Sequence, residues 1–472
     1  MVIKSFESEL AAFEIYKIFE EDKYSFILDS SMRDENLGRY SFIGSEPFLV
    51  FKSKGRKIEL TEQNKTICFE GNPFTEISNI MARYNVKKDA EIPFTGGAVG
   101  YLSYDLCQCI EELPDVAIDD INAPDSILGL YDGIIAVDNL ENKFYAIAQG
   151  IFEDEKIIAE KLINKIRNST KTESQNGKNS NNSTAKICLG NRRVGTSKAD
   201  YSIRASITKS AYIETIKKIK SYIRSGDIYQ VNYTYRYNCR ISKKPLEIYE
   251  TLRLINPAPF AAYLNFGGLN ILSSSPERFM KIQEKQMETR PIKGTCPRGK
   301  NDADDIKNRE GLLKSEKDKA ELLMIVDLER NDLGKVAEMG SIVVKESFHA
   351  EKYATVYHLV SSVTGTVDCK YSAIDCIKAA FPGGSITGVP KIRAMEIIDE
   401  IESTKRSVYT GCIGYIGFEG NLDLNIAIRT ILIKGDIAYF QVGGGIVWDS
   451  DAEAEYQETL DKAKALIEAL QT

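Results

Sequence analysis

Histidine is almost missing: the 472 residues hold two, His349 and His358. Any Cys–His or Ser–His–Asp catalytic unit would have to draw on that pair. No run of about 18 apolar residues occurs, so no membrane span is indicated. The opening residues MVIKSFESEL have no apolar stretch of the kind a secretory leader needs. The nine cysteines are scattered, odd in number and without a CxxC pair. That pattern favours free cytosolic thiols over disulfides or structural zinc, and a cytoplasmic chain is expected. A basic excess is absent too: 61 Lys and Arg against 68 Asp and Glu leave a net charge of −7. Attraction to nucleic acid or to an anionic membrane through bulk charge is therefore not expected. What is present is a globular composition, 43% apolar and 27% charged, with material for a large core.

The clearest boundary is Asn168 to Lys186, NSTKTESQNGKNSNNSTAK. It has almost nothing to bury and is expected to be an exposed loop. It separates an N-terminal region, 1–167, from a second region, 187–472. In the first, Tyr40–Gly44 and Gly129 to Asp138 read as strands. In the second, Tyr212, Ile216, Ile219 and Ile223 mark one face of a helix that Gly226 can stop. From Ile228 to Ile241 the period becomes two, which predicts a long strand with one apolar and one polar face. Strands are also expected at Asn270–Ser274, Val408–Phe418, Leu424–Leu432 and Ala438–Val442. Helices are expected at Glu316–Leu328, Ala373–Ala380, Pro390–Ile401 and Ala452–Leu470. Many strands follow one another through short turns, so antiparallel pairing is favoured. The expected class is α+β: large antiparallel sheets packed together and covered by helices.

Two pairs of acids have spacing that could serve chemistry. Asp318 and Glu321, and Glu455 and Glu458, are each i, i+3 on a predicted helix, with Lys462 one turn beyond Glu458. Brought together, the pairs could hold one hard cation through oxygen; alone, such pairs are ordinary solvated helix faces. Phe381 to Lys391, FPGGSITGVPK, offers many backbone donors ahead of a helix and suits an anion such as a carboxylate. Val389 stands where a Walker loop needs lysine, so a nucleotide-phosphate loop is excluded. Gly443-Gly444-Gly445 does not open a helix, so no dinucleotide site is indicated, and tight turns are the plain alternative. Lys293, in RPIKGT, lacks local apolar context and alone would pass as a surface lysine; Glu277, in SPERF, follows a serine run at a strand end, where loop carboxylates often do chemistry, a weak signal alone. Cys188-Leu189-Gly190 has no companion histidine motif and is read as coincidence.

Taken together, the strings GDIYQVN (226–232), SPERF (275–279), RPIKGTCPRG (290–299), MIVDLERNDLG (324–334), HLVS (358–361), PGGSITGVPKIRAM (382–395), GGGI (443–446) and EYQE (455–458) resemble the chorismate-utilising enzymes. The resemblance is strong from about Ser206 onward and weaker before the loop. Gln230 stands where the water-adding members carry a lysine base, which points to an ammonia user. Lys293 stands where the anthranilate branch usually has alanine. The PIKGT string is similar to the aminodeoxychorismate synthase component I branch, which makes 4-amino-4-deoxychorismate for p-aminobenzoate and folate.

The resemblance implies a covalent intermediate on Lys293, with Glu277 as general acid and His358 beside the leaving hydroxyl. A free lysine has a pKa of about 10.4, so this implies a site that lowers it. It also implies Mg²⁺ on Glu321 and Glu458, with Asp318 and Glu455 completing the shell through water. Ser385, Tyr409, Arg429, Gly443, Gly444, Gly445 and Lys462 match positions that hold substrate. Asp29, Ser30, Arg39, Tyr40, Asn256, Pro257 and Ala258 match a tryptophan pocket, with Asp29 in place of the commoner Glu. The substrates implied are chorismate and ammonia. The ammonia is expected from a separate glutamine amidotransferase subunit, forming a heterodimer, and pyruvate elimination from another protein. An anthranilate synthase component I, or an inactive regulatory subunit, are the alternatives; intact Glu277, Lys293, Glu321 and Glu458 argue against the second.

Overall fold

The computed structural model describes residues 1–472 apart from 33–36, 85, 87–90, 177–201 and 354–355. Two mixed-origin, antiparallel sheets of twelve strands each form its centre. In the first, Ser25–Asp29 from the N-terminal region pairs with Phe260–Asn265. In the second, Gly97–Leu102 pairs with Cys412–Gly417. Each sheet therefore takes five strands from the N-terminal region and seven from the C-terminal region, joined at one seam. Phe26, Phe42, Ala262 and Ile271 of one sheet meet Val99, Ile127, Ile413 and Tyr415 of the other in a shared apolar cluster. Phe42 packs edge-on against Phe94 and Tyr415, with ring centroids 5.4 and 5.6 Å apart. This is sheet-on-sheet packing, with helices on the outer faces. No described helix is long and apolar enough to cross a membrane.

The helical periodicities form as expected. Lys209–Ser225 buries Tyr212, Ile216 and Ile219, and Gly226 ends it at φ +83° in the left-handed region. Ala373–Ala380 is closed by a capping box between Ser372 and Asp375. Several expected strands differ. Gly129 to Asp138 is two strands, Ser126–Tyr131 and Gly133–Asp138, which belong to different sheets. The chain changes sheet at the buried Asp132, whose carboxylate accepts from the N–H groups of Ile151 and Phe152. Leu424 to Leu432 is likewise split, into Leu422–Ile426 and Thr430–Lys434, and again the sheet changes between them. Hydrophobic runs cannot mark such crossings, because both strands bury their sides.

The polar face of Gln230–Arg240 is buried as well as the apolar one. The Asn232 amide donates to Ile386 O at 3.0 Å, and Thr234 donates to Glu402 at 2.9 Å. The helix Lys391–Ile401 and the turn before it cover that face, so alternation here marks two kinds of interior. The helix Glu155–Asn176 runs into the start of the expected loop. The rest of that loop, with Cys188, lies outside the described residues.

Candidate functional site

The glycine triplet is not a turn. It lies inside the strand Ile437–Ile446, with Gly443, Gly444 and Gly445 opposite Thr234, Tyr233 and Asn232. The missing side chains leave a floor. A Cβ on Gly445 would stand 2.7 Å from Gln230 Nε2 and 2.8 Å from Lys293 Nζ. One on Gly444 would stand 3.4 Å from Glu455 Oε2, 3.7 Å from Lys462 Nζ and 4.0 Å from Glu458 Oε1. The helix Ala452–Gln471, capped by Asp451, thus delivers Glu455, Glu458 and Lys462 over the glycines.

Lys293 reaches the same floor through a bulge. The strand Ile292–Pro297 slips register between Lys293 and Thr295, and Gly294 takes φ +76°. The extra residue re-aims Lys293 away from the sheet. A Cβ on Gly294 would collide with Asp318, whose side chain lies 2.9 Å from that position. Asp318 and Glu321 come from the first turns of Glu316–Gly334. Lys293 Nζ is 3.8 Å from Glu321 Oε2, and Lys317 is 3.8 Å from the other oxygen of that carboxylate. Lys462 Nζ is 2.6 Å from Glu458 Oε1 and donates to Gly443 O at 2.8 Å. Burial works to raise the Glu458 carboxyl, but Lys462, Lys293 and Lys317 outweigh it and hold it below the usual range. Burial raises Glu455. Burial also lowers the Lys462 amine, and the nearby Arg429 and Lys293 add to that. The two acid pairs share Lys293 and Lys317 as neighbours, and lysines lie against Glu321 and Glu458; among the described residues no three His, Cys, Asp or Glu side chains form a ready ligand set. The donors are carboxylate oxygens, as a hard cation requires.

Arg429 stands where the chain passes between sheets, and Tyr409 in the turn between the helix Lys391–Ile401 and the strand Cys412–Gly417. Thr410 and Arg429 both hold positive φ, +61° and +52°, and Thr410 N donates to Ala427 O at 2.9 Å, which ties the two turns together. Left-handed backbone at non-glycine residues is uncommon and clusters at functional sites. Arg429 Nη1 donates to Lys462 O at 2.7 Å. Burial pushes the Tyr409 phenol up to about 12 and lowers the Arg429 guanidinium.

Glu277, at the end of Leu269–Ser275, is buried with Oε1 unpartnered. Burial lifts its carboxyl to about 7, which Ser385, the Ile292 N–H and Lys293 offset only in part. Ser385 Oγ and both amide atoms of Gln230 are also enclosed without a partner. Buried polar groups are nearly always satisfied, so this cluster has the donors and acceptors for a polar ligand. His358 accepts or donates through Nδ1 to Thr295 Oγ1 at 2.8 Å. Burial and the Arg429 charge drop its imidazole to about 4, so it is neutral at pH 7. Lys391 turns inward to Asp332, Ala380 O and Pro382 O, bracing the glycine-rich turn. Three residues that sequence reasoning missed are Lys317, Thr289 and Glu329. Only Glu329 carried a signal, two turns beyond Glu321 on the same helix face.

The expected amino-acid pocket is a separate cavity of about 310 Å³ between the sheets, lined by Asp29, Ser30, Arg39 and Tyr40. Asn256, Pro257 and Ala258 do not line it; Pro259 and Phe260 do. The Asp29 carboxylate accepts from Arg253 Nε at 2.7 Å and Tyr249 at 3.2 Å, on the helix Pro245–Ile255. Arg39 binds Asp138 at 2.6 Å.

The model of the chorismate binding enzyme family matches residues 26–468. Anthranilate synthase component 1 of Acetivibrio thermocellus is 39% identical over 464 residues, 97% of this chain and 92% of that protein. Aminodeoxychorismate synthase component 1 of Bacillus subtilis (strain 168) is 37% identical over 466 residues, 98% of this chain and 95% of that one. The crystal structure of anthranilate synthase component I from Streptococcus pneumoniae TIGR4 superposes with a TM-score of 0.76 at 29% identity, covering 92% and 93% of the two chains.

Proposed function

The chain belongs to the chorismate binding enzyme family, and from that premise we propose that it is the kind that joins ammonia to C4 of chorismate, giving 4-amino-4-deoxychorismate. The observation that carries this reading is the meeting of Lys293 and Gln230 over Gly445. An amine nucleophile lies on the glycine floor, and the group beside it is an amide that cannot serve as a base for water.

In this mechanism the Lys293 amine, unprotonated, attacks C2 of the ring. The bond to the C4 hydroxyl breaks with an allylic shift, and Glu277, which burial keeps partly protonated near neutrality, gives the hydroxyl its proton. Ammonia then adds at C4 and expels Lys293 from C2. Arg429, Lys462 and the Tyr409 hydroxyl supply charge and a donor for the substrate carboxylates. His358, neutral and fixed by Thr295, orients the departing hydroxyl without competing for its proton. Glu321 and Glu458, with Asp318 and Glu455 behind them, would hold Mg²⁺, which would supply charge stabilisation for a substrate carboxylate and the leaving oxygen. The ammonia would come from a separate glutaminase subunit. Two relatives bear the name component 1, which fits such a partner.

Anthranilate formation is the competing reading, favoured by the 39% identical relative. Mass spectrometry of the product from chorismate, ammonium and Mg²⁺ separates them. A product that keeps the pyruvyl group and carries nitrogen at C4 supports the proposal; anthranilate refutes it.

A further inference from the structure

Behind the proposed general acid lies a second buried carboxyl that the mechanism above does not use. Glu329 is 8% exposed and Glu277 5%. Glu329 projects from the helix Glu316–Gly334 against the turn that carries Ser385; a Cβ on Gly384 would stand 3.7 Å from Glu329 Cγ. Thr289 comes from the neighbouring strand Gln286–Arg290 and is 3% exposed. Four chain segments thus each bring one enclosed, unpartnered side-chain oxygen to this place: Glu277 Oε1, Thr289 Oγ1, Glu329 Oε2 and Ser385 Oγ. An ionised carboxylate left so would be costly, whereas a protonated one can donate.

We propose that Glu277 and Glu329 work as one proton-sharing pair, relayed by the Thr289 and Ser385 hydroxyls, in which Glu329 is a positioning residue that reloads Glu277 after each turnover. This rests on the reading of Glu277 as the general acid. Burial first, then the charges of Glu277 and Asp332, lift Glu329 to about 8 against the pull of Thr289 and Lys391. Glu277, facing Lys293, Lys462 and Tyr353, is lifted to about 7. Because ionised Glu277 raises Glu329, ionised Glu329 raises Glu277 equally, and the two apparent values belong to the pair. The protons balance. Glu277 gives one to the C4 hydroxyl, which leaves as water. Glu329 passes its own to the Glu277 carboxylate. The ammonium ion that becomes the attacking ammonia releases one, and Glu329 takes it up.

The test is Glu329→Gln in the full chain, with chorismate loss followed against pH at constant free ammonia, whatever the amine product. The alkaline limb of kcat should move from near 8 in the wild type towards 7 in the variant, the span between the two carboxyls. A structural defect alone would lower kcat without moving the limb, and Glu329→Asp should bring it back part of the way. An infrared titration of the ligand-free protein gives a readout that needs no turnover. One protonated carboxyl present at pH 7 in the wild type should be missing from Glu329→Gln. Superimposable limbs, or carboxyl bands equal in the two proteins at pH 7, overturn the pair. A wild type that consumes no chorismate refutes the proposed function, and the infrared arm then still decides the pair.

Discussion

Gln230 and Lys293 meet over one glycine: a methyl group on Gly445 would lie 2.7 Å from the Gln230 amide nitrogen and 2.8 Å from the Lys293 amine. The first flexible neighbour, Lys293, can withdraw, but Gln230 is fully buried and cannot. Gly445→Ala should therefore fold and yet displace the amine from the ring. A misplacement of about 1 Å costs on the order of 10²-fold in rate, so kcat/KM for chorismate should fall by about that factor. An unchanged kcat/KM would show that the glycine floor does not touch substrate.

Glu321 and Glu458 should matter through a cation. Glu321→Gln and Glu458→Gln each keep size and hydrogen bonding but lose charge. Each should weaken Mg²⁺ binding in a calorimetric titration and abolish turnover, and excess chelator should do the same to the wild type. If these acids were only solvated helix faces, each change would fall within about 0.5 kcal/mol in stability and leave activity intact.

Much of this site was legible because its residues sit in strings whose types carry their chemistry. Lys293 and Glu277 stand out only through the family-like strings that hold them, and helical spacing puts Asp318 with Glu321, and Glu455 with Glu458, on one face of each helix. What the sequence hides is geometry set by neighbours distant in the chain. Period-two alternation in Gln230–Arg240 promised a wet face, and a helix 160 residues later dries it. The sheet crossing at Arg429 uses neither glycine nor proline and leaves no mark, and Asp132-Gly133 at the other crossing would equally suit a hairpin turn within one sheet. Asp29 lines the expected pocket, and what the sequence does not show is that its carboxylate is held by Arg253 and Tyr249 from the helix Pro245–Ile255.

Asp105 should make stability fall as pH rises. Burial and then the Asp125 charge lift its carboxyl from 3.8 to about 7, against Lys405, Lys54 and the Ser407 N–H. Between those values the folded chain binds the extra proton, so unfolding becomes easier with each step up in pH. Above 7 the penalty is complete, up to about 4 kcal/mol. Asp105→Asn keeps an acceptor for Ser407 N and removes the penalty. Its Tm should exceed that of the wild type at pH 8, with the gap closing towards pH 4. A gap equal at both would show that the carboxyl is ionised throughout.

Lys293 should decide where nitrogen enters the ring. With an amine on C2, the C4 hydroxyl is the group that leaves, and ammonia must add at C4. Without it, ammonia can only attack C2, which is the anthranilate-type route. Lys293→Ala should lose most formation of 4-amino-4-deoxychorismate while still binding chorismate and Mg²⁺, since neither carboxylate pair is altered. A little nitrogen at C2 should appear in its place. In the wild type without ammonia, the covalent adduct should accumulate and add the ring mass to the peptide that contains Lys293, read by mass spectrometry after digestion. Glu277→Gln should suppress that adduct as well, because the hydroxyl cannot leave without its proton. Wild-type product levels from Lys293→Ala would show that the amine beside Glu321 is a counter-ion and not the nucleophile.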